Sequence, residues 1–173
     1  MRYIIAILVV AATLTTALAQ SKPAAPANRQ TATRPTPVKA SIATTPSPAE
    51  QTIFEAVNRE RAARQLKPLR WDAGLAAAAR NHALKMAQAG QISHQFPGEF
   101  DFAMRVRMAG VHFISVAENV AEAPSASMIE EEWMNSPPHR ENILDPALDS
   151  LGVSVIERNG DFFAVQDFAL VTR

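Results

Sequence analysis

Residues 151–170 read LGVSVIERNGDFFAVQDFAL, and this stretch decides the fold class. Asn159-Gly160 separates two β-rich runs. An Asn-Gly pair in that setting is the strongest short-range hairpin signal, because both turn positions need positive φ. Val153 and Val155 share a face of the first run. On the second, Phe162, Ala164 and Gln166 take one face and Phe163, Val165 and Asp167 the other. Upstream of the hairpin the periodicity is helical. Ser47 as N-cap, Pro48 at the first helical position and Glu50 as reciprocal acceptor form a capping box. Ile53, Phe54 and Val57 then give an apolar stripe on a helix expected to run to about Leu66, before Pro68. "PLRW" (68–71) reads as an extended link. Asp72 caps a second helix that turns Leu75, Ala79, Ala83 and Met86 inward and stops at Gly90. Asp101 opens a short third helix ending near Gly110, and ASMIEEEWMN (126–135) forms a fourth. SHQFPGEF (93–100) and NSPPHRENIL (135–144) read as stiffened loops, and ISVAENVAEA (114–123) as a buried turn or short strand. Helices first and an antiparallel pair last make an α+β domain, with helices packed on a small sheet.

That domain spans residues 49–173. Ahead of it, residues 1–19 read as a cleavable signal peptide: a cationic start at Arg2, an apolar run from Tyr3 to about Leu14, then Ala17-Leu18-Ala19. The run is short for a membrane span, which needs ~20 residues. No stable membrane anchor is expected after its removal, and the localisation implied is secreted or periplasmic. Residues 20–48 are rich in Pro, Ala and Thr and lack aromatics, the composition of a disordered linker. The linker carries Lys22, Arg29, Arg34 and Lys39 and no acid, whereas all 17 acids lie in the domain. Formal net charge is zero, so the chain has no nucleic-acid footprint, and it is expected to act as a monomer. The absence of cysteine excludes disulfides and thiolate catalysis, so the core alone must hold the fold.

Four histidines carry most of the possible chemistry. His82 and His112 read as hydrogen-bonded core or boundary residues. His94 and His139 differ, because each sits beside prolines in a segment read as a loop, where sites are usually built on a rigid scaffold. Glu118 is a lone carboxylate among Val116, Ala117, Val120 and Ala121, and such a group needs a partner or a proton. A histidine would serve. Ser136, three residues before His139, admits a nucleophile reading, but beside Pro137 it reads more naturally as a helix-terminating or turn residue. No H-E-x-x-H, G-x-S-x-G or phosphate-binding glycine loop is present. Two histidines form half of a zinc site that a carboxylate or water could complete.

The stretches at 58–98, AENVA, WMNSPPHRENIL, LGVSV and FFAVQDF, in this order, resemble a bacterial exported CAP (SCP-like) domain. That superfamily comprises cysteine-rich secretory, antigen 5 and pathogenesis-related proteins. The resemblance covers about Ala49 to Phe168. It implies an α-β-α sandwich, a small antiparallel sheet flanked by helices, with a central groove lined by two histidines and two acids. His94, Glu118 and His139 match three members of that tetrad. Ser136 stands where the second acid belongs, so the tetrad is partial, and Glu130, Glu131 and Glu132 do not fill the gap. The resemblance implies that His94 and His139 could hold zinc or another divalent cation, with Glu118 behind them. Arg140 and Asn142 are expected to anchor the His139 segment, and Gln166 to hydrogen-bond to it. The implied role is a non-enzymatic binding module for a small-molecule, lipid or protein ligand. The alternative is a hydrolase of envelope peptides or esters, with metal-bound water or Ser136 as nucleophile and Glu118 as base.

Overall fold

The computed structural model describes residues 45–172 and the backbone of a two-residue strand, β1 (Ala6–Ile7). The remainder of the proposed signal peptide and most of the linker lie outside the described residues. The capping box forms as expected at the start of α1 (Pro48–Ala62): Ser47 N donates to Glu50 Oε2 at 2.7 Å and Glu50 N to Ser47 Oγ at 3.3 Å. The helix stops four residues short of the expected Leu66. Gln65 takes φ 59°, and Leu66 N turns back to Arg61 O. PLRW contributes a short strand, β2 (Arg70–Trp71), that runs parallel to β4 (Ser150–Arg158). The sheet is therefore mixed at that edge and antiparallel elsewhere.

Helix α2 (Ala73–Ala89) begins at Asp72, whose carboxylate accepts from Leu75 N, and ends at left-handed Gly90, φ 66°. Its alanines bring it down on the sheet. A Cβ added to Gly152 of β4 would stand 2.1 Å from Ala76 N, so only glycine permits this approach. A short helix, α3 (Phe102–Met108), follows. Residues 113–123, read as a turn or short strand, form the eleven-residue strand β3 (Phe113–Ala123). Helix α4 (Ala126–Asn135) packs Ile129 and Trp133 inward, and Trp133 Nε1 donates to Val120 O at 3.3 Å.

The segment carrying His139 differs most from expectation. It is not a loop but a helix, α5 (Pro137–Leu144). Ser136 both ends α4 and precedes α5. Pro137 and Pro138 occupy the first turn of α5, where a missing N–H costs no helical hydrogen bond and a fixed φ favours the helix. Arg140 N then donates to Ser136 O at 2.9 Å. The prolines that looked like loop stiffeners are helix starters.

The hairpin of β4 and β5 (Asp161–Val171) turns at Asn159 (φ 56°) and Gly160 (φ 87°), as their sequence demands. Strand order is β1-β3-β5-β4-β2. On one face Ala117, Ala121, Val153 and Phe168 join Ile53, Val57, Ile129, Trp133 and Ile143 from α1, α4 and α5. On the other face Val120, Phe163 and Val165 meet Ala79, Ala83 and Met86 of α2. The result is helices on both faces of a sheet, and β3 divides its residues between them.

Candidate functional site

The alternation of β3 places two consecutive polar residues on opposite faces. Glu118 points to the α2–α3 side and Asn119 to the α4–α5 side, and both are buried. A buried carboxylate must find partners, and Glu118 has two. His94, on the segment between α2 and α3, meets Glu118 Oε1 through Nδ1 at 2.8 Å. Arg105 of α3 donates from Nη2 to Glu118 Oε2. The other arm of the guanidinium, Nη1, donates to His94 O at 2.8 Å. Arg105 thus fixes the backbone of the histidine and the carboxylate that the histidine contacts.

A second layer holds the His94 segment. Glu99 receives the amide of Phe96 at 3.1 Å on Oε2, and His82 Nδ1 at 3.0 Å and Lys85 Nζ at 3.1 Å on Oε1. His82 Nε2 lies 2.6 Å from Ser93 O. Burial pushes the Glu99 carboxyl up, but the His82, Phe96 and Lys85 contacts together hold it below its ordinary value. His82 is a fully buried, hydrogen-bonded residue as the sequence suggested, and it braces the residue preceding His94. His112 is exposed instead of sitting at the boundary.

Asn119 serves the opposite face. Its Nδ2 donates to His139 O at 3.2 Å and to Gln166 Oε1 at 3.0 Å, while its Oδ1 accepts from Asn142 Nδ2 at 2.8 Å. Arg140 Nη1 reaches Met134 O at 3.1 Å, tying α5 to α4. Arg140 and Asn142 therefore anchor the segment, as expected. Gln166 is joined to His139 O through Asn119, and its Nε2 donates to Glu130 Oε2 at 3.3 Å. A direct contact joins His94 and Glu118. His139, fully buried, is tied by its backbone carbonyl to the next residue of the same strand. Ser136 makes no side-chain cap bond to α5.

Two functional-looking residues escaped sequence reasoning, and a third was named there only as not filling the tetrad gap. Arg105 appeared only as part of a short helix. Asp167 is directly opposite Glu118 in the β3–β5 register and wholly buried. Among the described residues neither of its oxygens receives an N–H donor, and the group it meets is the Glu118 carboxyl. Burial, and then the facing Glu118 carboxylate, push its carboxyl well above the ordinary range, against the opposing pull of Arg105. Glu130 is the third. Burial raises its carboxyl to about 8, with Gln166 opposing and Glu60 adding. The alternation in FFAVQDF did put Asp167 on the Phe163 face, but only strand pairing could say that Glu118 lies across from it.

Among the described residues no group of three or more His, Asp or Glu side chains is placed to hold a metal ion, and no helix is long and apolar enough to cross a membrane.

The model of the cysteine-rich secretory protein (CAP) family matches residues 54–168. The uncharacterized protein YkwD of Bacillus subtilis is 32% identical over 112 residues, which is 62% of this chain and 42% of YkwD. The crystal structure of an extracellular SCP-domain protein from Bacillus anthracis superposes with a TM-score of 0.66 at 29% identity, covering 70% of this chain and 40% of that one. An outer surface protein of Borrelia burgdorferi gives 0.65 at 19% identity, covering 72% and 93%, a likeness of fold. The chain thus spans under half the length of its two Bacillus relatives.

Proposed function

This chain belongs to the cysteine-rich secretory protein (CAP) family, and we propose that it is an exported, non-enzymatic binding module whose ligand groove is centred on His94, Glu118 and His139. The observation that carries this reading is the commitment of both Glu118 oxygens, one to His94 Nδ1 and one to the Arg105 guanidinium. A general base must stand within hydrogen-bond reach of the proton it abstracts, whereas both Glu118 oxygens are turned to protein donors. Glu118 is neutralised and oriented instead, which suits a group that positions a histidine. Ser136 lies at the joint of two helices, where its backbone serves both; this suits a structural residue better than a nucleophile.

The second part of the proposal is a divalent cation such as zinc at the groove, and the contact of Glu118 with His94 Nδ1 is what supports it. A carboxylate on Nδ1 fixes the tautomer of His94 and turns Nε2 into the ligand atom, the usual outer-shell arrangement of a metal-bound histidine. His94 and His139 would hold the ion, with water completing its coordination. Such an ion would supply a Lewis-acidic centre for an anionic or carbonyl-bearing ligand. Calorimetric titration of Zn²⁺ into the wild type and the His94→Ala/His139→Ala variant tests this, and equal binding by both removes the metal from the proposal. A screen for esterase and peptidase activity addresses the non-enzymatic reading. Turnover lost in Glu118→Gln or Ser136→Ala would overturn it in favour of hydrolysis.

A further inference from the structure

Strand β3 pairs with β5 from Phe113 to Ala123. On its other side, among the described residues, it pairs only with β1, antiparallel, with Ala6 opposite Asn119 and Ile7 opposite Glu118. Packing pins β3 from both faces. Ala117 and Ala121 belong to the core shared with α1, α4 and α5, and Val120 to the core under α2. The strand therefore cannot turn its outer edge away. Such an edge presents backbone N–H and C=O groups that template another extended chain. Residues 6 and 7 come from the apolar run Tyr3–Leu14, read above as part of a cleavable signal peptide. Its removal takes away β1 and leaves the described core clusters, which begin at Ile53.

We propose that, in the chain freed of residues 1–19, the outer edge of β3 binds an extended apolar peptide as an added antiparallel strand. The peptide lies in the groove proposed above, and its place there rests on that reading. Main-chain hydrogen bonds to β3 supply the affinity, and alternate side chains supply selectivity. Successive residues of an added strand point to opposite faces. One set meets the His94 side of the sheet, where Glu118 points, and the other meets the α5 side, where Asn119 points.

Two observations set the chemical class of the peptide. The segment seated on this edge belongs to a run without a charged residue. The β3 residues beside the pairing positions, Val116, Ala117, Val120 and Ala121, are apolar and buried. A charged side chain brought there loses water and needs a partner. Both Glu118 oxygens and the Asn119 amide are already engaged within the protein.

The probe is a labelled peptide, YIIAILVV (residues 3–10), with a lysine tail for solubility. Fluorescence anisotropy follows its titration into chain 20–173 and into the full chain, with EDTA present. Far-UV circular dichroism verifies that chain 20–173 is folded. Chain 20–173 should bind with a Kd on the order of 10 μM. Peptides with Ala6→Pro or Ile7→Pro keep the tail but cannot form the ladder, and should bind at least about tenfold more weakly. The full chain should also bind the probe at least about tenfold more weakly, because its own segment competes as a tethered strand. Hydrogen exchange should show amides of residues 116–121 slowing when peptide is added, and those of β2 at the opposite edge unchanged. The proposal is overturned if chain 20–173 binds no peptide at about 0.1 mM, or if the proline peptides bind as well as the parent. It is equally overturned if the full chain binds as well as chain 20–173, or if protection appears away from β3. Zinc titration is read separately. Zinc binding without peptide binding removes the added strand alone, and peptide binding in EDTA without zinc binding removes only the metal.

Discussion

Arg105→Met tests whether the cluster around Glu118 is held by charge. The guanidinium side chain is 7% exposed and contacts Glu118 Oε2, His94 O and, at 3.8 Å, Glu99 Oε2. Methionine preserves most of the volume and removes the cation. Glu118, 1% exposed at its side chain, then keeps the His94 Nδ1 contact and faces the buried Asp167 carboxyl without the Arg105 cation. Removing one member of a buried ion pair costs about 3–5 kcal/mol, mainly because the other is left uncompensated. That is a large share of the ~5–15 kcal/mol by which domains are stable, and it should lower the urea midpoint by about 2 M. Urea unfolding of wild type, Arg105→Met, Glu118→Gln and the double variant closes a thermodynamic cycle. The double variant should be less destabilised than the sum of the singles, with a coupling of about 2 kcal/mol or more. A loss under about 1 kcal/mol for Arg105→Met, or strict additivity in the cycle, would refute the reasoning and make Arg105 a packing residue.

Further outcomes follow from the buried carboxyls and the close helix–sheet contact. Glu130 and Asp167 both have carboxyls raised on folding, so the native state holds protons that the unfolded chain gives up. Their contribution is present below the ordinary carboxylate range and is lost as pH rises, through about 8 for Glu130. Relative to Glu130→Gln, the wild type should therefore lose stability between pH 5 and 8 at up to about 1.4 kcal/mol per pH unit. Parallel pH-dependent slopes in chemical denaturation would contradict this. Gly152→Ala should cost about 3 kcal/mol or more, because the new methyl meets backbone atoms of α2 with no flexible side chain to yield. Thermal unfolding near the wild-type temperature would show that α2 can lift from β4 at little cost.

Local rules decide the structure at several points of this chain. Ser47-Pro48-Ala49-Glu50, Asp72, Gly90 and Asn159-Gly160 each encode a cap or turn through their own backbone and side-chain chemistry, and each forms as written. Pro137-Pro138 carries the same kind of information in ambiguous form. A proline pair is compatible with a rigid loop and with a helix's first turn, and only the hydrogen bond from Arg140 N to Ser136 O distinguishes them. The length of β3 was also hidden, because an apolar run containing Glu118 and Asn119 reads as interrupted until both polar residues have partners.

For the site, the sequence by itself determined that Glu118 needed a partner, and its family resemblance marked His94 and His139. The strand's two-residue period, once β3 was a strand, sent Glu118 and Asn119 to opposite faces. Only the tertiary structure decided what met them there. Arg105 comes from a helix thirteen residues upstream and Asp167 from a strand forty-nine residues downstream, as the β3–β5 register dictates. Such partners are chosen by packing and pairing across the chain, and neither leaves a local pattern. The family resemblance marked Ser136 as the place of an absent acid. The fold supplies a buried carboxyl opposite Glu118 from another strand, because burial and register, not sequence spacing, decide which charges share a site.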